Sequence, residues 1–277
     1  MIVTFKKKQP SDKKLISIVP LKKENKSSKT FTRSFAMFFI VCFILLQLFN
    51  FTFANTDTYP FPFYDSEEIV GPIIKSPSAI LIEAERGQIL YQKNPDLKLH
   101  ISVVNKIMTA VLTIEKGNLE SKVTISKEST TSEGSLLYLA IGEKYAVEDL
   151  LNAIIISNAN DAANALAEHI GGDINKFVEM MNNKAKELKM NDTYFANPTG
   201  LTDENQYTTA KDIAILIRYA LTLPDFNRIF SYRAVPWVNS NGVDLLTNSN
   251  RLFWSYDGVD GGKTGYNKIE KQSSITS

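Results

Sequence analysis

Lys263, Thr264 and Gly265 bring a cation, a hydroxyl and a bare backbone position together after a glycine-rich approach, Gly258-Val259-Asp260-Gly261-Gly262. An ammonium beside a hydroxyl suits a carboxylate. In a strand, alternate side chains share a face, so Lys263 and Gly265 point one way and Thr264 the other unless a bulge re-aims them. The glycine leaves room for a ligand backbone to come close. The tripeptide also fits a surface turn, and alone it does not choose between the two.

Two further stretches carry polar residues where apolar helices begin or meet. Ser102-Val103-Val104-Asn105-Lys106-Ile107-Met108-Thr109 opens a helix and sets Lys106 in its first turns. Ser102 lies four residues before Lys106, so the two share a helix face; its other reading is a helix N-cap. Asn158-Ala159-Asn160-Asp161-Ala162-Ala163 joins two apolar helical runs.

The elements that must hold these residues are legible from pattern. Ala79-Ile80-Leu81-Ile82-Glu83-Ala84 and Gln88-Ile89-Leu90-Tyr91 flank Glu85-Arg86-Gly87 as a hairpin. Ile107 to Lys116 has helical periodicity and stops near Gly117. Val123-Thr124-Ile125 reads as a short strand. A helix opens at Ala146 and a buried one runs to Ile156. Others span Ala162 to Ile170, Ile174 to Leu188 capped by Asp173, and Ala210 to Leu221 capped by Thr209, with Pro224 breaking the pattern. Asn197-Pro198-Thr199-Gly200-Leu201 is a turn. A second hairpin surrounds Asn239-Ser240-Asn241-Gly242. Strand pair, helical block, strands: the class is α+β.

Taken together, the three polar stretches resemble the serine-type D-alanyl-D-alanine carboxypeptidases, the low-molecular-weight penicillin-binding proteins. The resemblance runs from about Ser78 to Tyr266. It includes Lys106-Ile107-Met108-Thr109-Ala110, Asn160 to Ile170, Asn197 to Leu201 and Gly258-Val259-Asp260-Gly261. It implies a DD-peptidase/serine β-lactamase-like fold: an antiparallel sheet flanked by helices plus a helical subdomain. It also implies nucleophilic catalysis by a serine with a lysine base, removing the terminal D-alanine from peptidoglycan stem peptides through an acyl-serine. Carried over position by position, Lys106 matches the base and Asn160 the asparagine of the second motif. Lys263, Thr264 and Gly265 match the third motif, and the Tyr266 N–H would help form the oxyanion hole. Two positions depart. Val103 stands at the nucleophile position, and Asn158 replaces the serine of the second motif. Losing a serine nucleophile costs roughly a million-fold in kcat. The expectation is therefore a family member with impaired or absent hydrolase activity. The alternatives are a non-catalytic protein that binds D-Ala-D-Ala ends, or a truncated, non-functional fragment. The partners implied are stem peptides ending in D-Ala-D-Ala, and β-lactams. A lysine stripped of its hydroxyl partner must lose its proton or find another acceptor, for which Asn105 and Asn158 are candidates. The resemblance also places the start of a return strand at Gln272 to Ser277, with the last sheet elements missing and that strand left as an edge.

Composition bounds the rest. The chain has 277 residues and a formal net charge of +1. Residues 1–34 hold ten Lys/Arg against two Asp/Glu, so the remainder is seven charges negative, which argues against a nucleic-acid partner. The basic stretch precedes an apolar run, Phe35 to Phe53, which reads either as an export signal cut near Ala54 or as an uncleaved anchor to a membrane. Residues 1–54 are thus a leader, 55–77 a Pro- and aromatic-rich linker, and 78–277 the domain. The one cysteine, Cys42, lies in the apolar run. With two histidines and no cysteine in the domain, a metal site is not expected, and no cofactor is implied.

Overall fold

The computed structural model describes residues 2–6, 72–267 and 271–277. The export signal or anchor and most of the linker lie outside them. No helix among the described residues is long and apolar enough to cross a membrane.

The chain begins with β1 (Ile2–Lys6) and resumes with the hairpin β2 (Ala79–Glu83) and β3 (Ile89–Lys93). The helical block contains α1 (Ser102–Lys116), α2 (Val147–Ile156), α3 (Asn160–Gly171), α4 (Ile174–Glu187), α5 (Ala210–Ala220) and α6 (Pro224–Phe230). Between α1 and α2 the short strands β4 (Lys122–Thr124) and β5 (Lys144–Ala146) pair antiparallel. A second hairpin, β6 (Ala234–Asn239) and β7 (Gly242–Thr247), precedes the single turn α7 (Leu252–Ser255). The chain ends with β8 (Gly262–Asn267) and β9 (Lys271–Thr276).

Asp173 and Thr209 cap α4 and α5 as expected: each side chain accepts from the backbone N–H three residues on. Pro224 does not simply interrupt. It starts α6, where its fixed φ suits a first turn and its missing N–H has no partner to lose.

The main sheet runs β3-β2-β1-β9-β8. β2 with β3 and β8 with β9 are antiparallel, as expected. The return strand β9 is not an edge, however. β1 lies between β2 and β9 and is parallel to both, pairing Ile2 with Ala79 and Ser274. The edges are β3 and β8, and β8, the Lys-Thr-Gly strand, faces α1. α1 is the hub of the core: its residues Val103 to Thr113 are all buried.

Candidate active site

The N-terminus of α1, the joint between α2 and α3, the Asn197–Leu201 turn, the loop before α7 and the edge strand β8 surround a cleft of about 870 Å³. Ser102, Val103, Lys106, Asn158, Asn160, Thr264, Gly265 and Tyr266 all line it. The candidate residues from three distant stretches thus converge on one place, with the exception of Lys263. Another cavity, of about 700 Å³ beside α5, is lined largely by apolar side chains and holds none of them.

α1 begins at Ser102, with Ile101 as N-cap and no side chain capping the helix. Ser102 is therefore not an N-cap; it is the first helical residue. The first-turn N–H groups lack intrahelical partners, and the helix dipole makes this end attractive to an anion or a developing oxyanion. Val103 follows, only 2% exposed, and presents methyl groups where the resemblance calls for a hydroxyl. An added Cβ at Gly265 would come within 2.9 Å of Ser102 Oγ and 3.3 Å of the Val103 Cβ, so only glycine lets the strand approach the helix this closely.

Lys106 is 5% exposed, and its Nζ donates to the Thr199 carbonyl. Neither expected acceptor is used: Asn105 donates to Asn197 O and Gln206 Oε1, and Asn158 serves another lysine. Burial lowers the Lys106 pKa to about 7, partly offset by the field of Asp161. The Asn197–Leu201 turn that supplies the carbonyl is clamped to α1. Thr109 Oγ1 donates to Pro198 O, and Gly200, at φ +79°, lies so close to Ser102 O that a Cβ would be 2.3 Å from it.

At the α2–α3 joint Asn158 takes φ +61°, a left-handed conformation that asparagine tolerates better than most residues. Its Oδ1 accepts from Lys263 Nζ at 2.5 Å. Asn160 Nδ2 donates to Glu133 O at 2.5 Å, and its Oδ1 is buried without an accepted hydrogen bond, leaving an acceptor in the cleft wall. Next to it, Asp161 accepts from the N–H groups of Leu137, Leu139 and Ala162 and so holds the 135–139 loop against α3. Asp161→Asn keeps the shape but loses the charge-assisted bonds; it is expected to lower stability by about 1 kcal/mol in urea unfolding.

Lys263 departs from the carboxylate-binding role. It is fully buried, and its Nζ donates to Ile154 O (2.6 Å), Ile155 O (3.1 Å) and Asn158 Oδ1. Burial, and Lys106 nearby, push its pKa well below the lysine range, while three acceptors, two at the negative end of α2, pull the other way. Three acceptors enclose Nζ, so Lys263 ties β8 to α2 and offers nothing to a ligand. The groups that do face the cleft on this side are Thr264 Oγ1, its hydrogen-bonded neighbour Ser249 Oγ (2.6 Å), and Arg251, which is exposed and forms no ion pair with any described residue. Sequence reasoning missed Ser249 and Arg251, and also Ser135, whose hydroxyl donates to Ser157 O.

Comparisons with known proteins give the family and the fold. The D-alanyl-D-alanine carboxypeptidase family model matches residues 66–277. The carboxypeptidase DacF of Bacillus subtilis is 40% identical over 195 residues, which cover 68% of this chain and 50% of DacF. DacD of Escherichia coli is 32% identical, covering 70% of this chain and 53% of that one. The chain spans about half the length of these curated relatives. The crystal structure of a D-alanyl-D-alanine carboxypeptidase from Mycobacterium tuberculosis superposes with TM-score 0.68 at 28% identity, covering 73% of this chain and 77% of that one. Penicillin-binding protein 6B of Escherichia coli gives 0.67 at 30% identity, covering 73% and 66%. The family model spans well over half of the chain, and the chain belongs to the D-alanyl-D-alanine carboxypeptidase family.

Proposed function

We propose that this protein binds peptidoglycan stem peptides ending in D-Ala-D-Ala, and their β-lactam mimics, without hydrolysing them through an acyl-serine. One observation carries the reading: the cleft keeps its binding groups while position 103 holds a valine. Thr264 Oγ1, Ser249 Oγ and Arg251 supply donors for the terminal carboxylate. Asn160 lines the same cleft and fixes its wall through the Glu133 carbonyl. The edge of β8 offers unpaired backbone groups to an extended chain. Val103 has no lone pair to attack the scissile carbonyl, so the first covalent step has no nucleophile there.

Asn158 supports the same reading. It is occupied with Lys263 and holds the site's shape rather than relaying a proton. A stem-peptide ligand lies in the cell wall, outside the membrane. The basic leader and the apolar run 35–53 fit export or anchoring of this chain. Cleavage near Ala54 would also remove β1 from the sheet.

Calorimetry with a diacetylated Lys-D-Ala-D-Ala tripeptide, alongside an assay for free D-alanine, tests the proposal. Saturable binding with no D-alanine above the buffer control is expected. Thr264→Ala and Arg251→Ala should each weaken binding about tenfold, the worth of one charge-assisted hydrogen bond. Steady release of D-alanine, or no binding by a folded sample, would overturn it.

A further inference from the structure

We propose that the Lys106 amine is itself a nucleophile in this cleft and takes the acyl group of a β-lactam as a stable amide. The inference rests on the reading that the cleft admits such ligands, and it goes beyond that reading by adding a covalent step.

The two buried lysines of the site are held differently. Lys263 is enclosed by three acceptors and does not line the cleft. Lys106 lines the cleft, and among the described residues only the Thr199 carbonyl accepts from it. In an acyl-serine site the lone pair of such a lysine would be engaged by the nucleophile's proton. Here the residue one turn earlier is Val103, which offers no proton. The remaining charges that act on Lys106 are Asp161 on α3 and Lys263 on β8, and Arg251 lines the same cleft from the loop before α7. None is hydrogen-bonded to it. A desolvated lysine of this kind is about half neutral amine near pH 7, and a neutral amine is a competent nucleophile.

The step balances without a co-reactant. Nζ attacks the lactam carbonyl carbon, and a C–N bond forms. The developing oxyanion lies near the uncapped N-terminus of α1. The ring C–N bond then breaks, and the ring nitrogen takes the proton that Nζ gives up. The product is a secondary amide. It resists hydrolysis, unlike the ester of an acyl-serine, so each chain reacts once.

The test uses the full-length chain and benzylpenicillin, followed by intact mass, neutral hydroxylamine and peptide mapping. The expected result is one penicilloyl group per chain, on Lys106, unmoved by hydroxylamine. It should form about ten times faster at pH 8 than at pH 6, following the neutral fraction of an amine that titrates near 7. Excess Lys-D-Ala-D-Ala tripeptide should slow it at least about fivefold by mass action. Lys106→Met should abolish it. Mapping of the wild-type adduct decides the matter even where a variant fails to fold. A hydroxylamine-labile adduct on Ser102, or scattered labelling of surface lysines, would overturn the inference. Peptide binding without any adduct would overturn it and leave the binding reading standing. Neither binding nor adduct on a folded sample would overturn both.

Discussion

Val103→Ser is expected to turn this cleft into one that penicillin acylates as an ester, on the peptide containing position 103, at roughly a thousand times the wild-type rate or more. Removing the serine from a serine hydrolase costs about a million-fold, and the restored hydroxyl recovers part of that. The rest of the machinery is in place. Position 103 is in the first turn of α1, and Lys106 lies three residues on, across the same face. Lys106 titrates near 7, so a large share of the chains carry a neutral base at neutral pH. Gly265 passes close to position 103, so the edge strand β8 runs beside the new hydroxyl. Serine is smaller than valine, so the site is not overpacked, and losing part of a buried valine costs about 1–2 kcal/mol. Asn158 limits the gain. Val103→Ser combined with Asn158→Ser is expected to acylate faster still, but the second change places serine at φ +61° and loosens the Lys263 contact, so the double variant should also melt earlier. Hydroxylamine-labile mass separates this ester from any amide on Lys106. A folded Val103→Ser variant with no ester would mean that the cleft has lost more than a hydroxyl.

Most elements were legible because each depends on local chemistry. The apolar spacing of Ile107, Met108, Val111 and Leu112 fixes the buried face of α1, and Asp173 and Thr209 announce helix starts through their own side chains. The convergence of Lys106, Asn160 and Thr264 on one cleft was legible only through the resemblance, since no spacing rule brings positions so far apart in sequence together. What sequence could not show were orientations set by tertiary packing. Strand alternation put Lys263 on a face, but not which neighbour that face meets. The meeting partner is the carbonyl end of α2, about a hundred residues earlier, and it takes the ammonium out of the cleft. Ser249 and Arg251 sit in Asn248-Ser249-Asn250-Arg251, a run that reads as an ordinary polar loop until the fold carries it beside Thr264. β1 was hidden for another reason. Ile2–Lys6 alternates as a strand does, but five residues in a basic leader say nothing of a parallel pairing with strands more than seventy residues away.

Lys106→Met is expected to stabilise the protein by about 2 kcal/mol at pH 7, with an advantage that shrinks as the pH rises. The folded-state pKa of Lys106, about 7, lies below the ordinary lysine value of 10.5. Between those values the unfolded chain binds more protons than the folded one, so stability rises with pH across that window. The burden is fully present below pH 7 and gone above 10.5. At pH 7 it amounts to roughly 4 kcal/mol, since each tenfold change in an ionisation constant is worth about 1.4 kcal/mol. Methionine matches the length of the lysine stem, fills the same channel and removes the titration. Against this, the Thr199 carbonyl loses its donor, at a cost of about 1–3 kcal/mol. The balance favours the variant at pH 7 and disappears near pH 10, where the wild-type amine is neutral in the folded protein and the remaining burden, about 1 kcal/mol, no longer exceeds the cost at Thr199. Lys263→Met should cost stability near pH 10, where no titration burden offsets the loss, because it orphans the carbonyls of Ile154 and Ile155 and the Asn158 side chain at once. Urea unfolding of the three proteins between pH 6 and 10 separates the cases. Equal stability of wild type and Lys106→Met at pH 7, or a gap that does not close with pH, would mean that Lys106 keeps its proton in the folded state. The same outcome would remove the neutral amine on which both the acylation of Lys106 and the rescue by Val103→Ser depend.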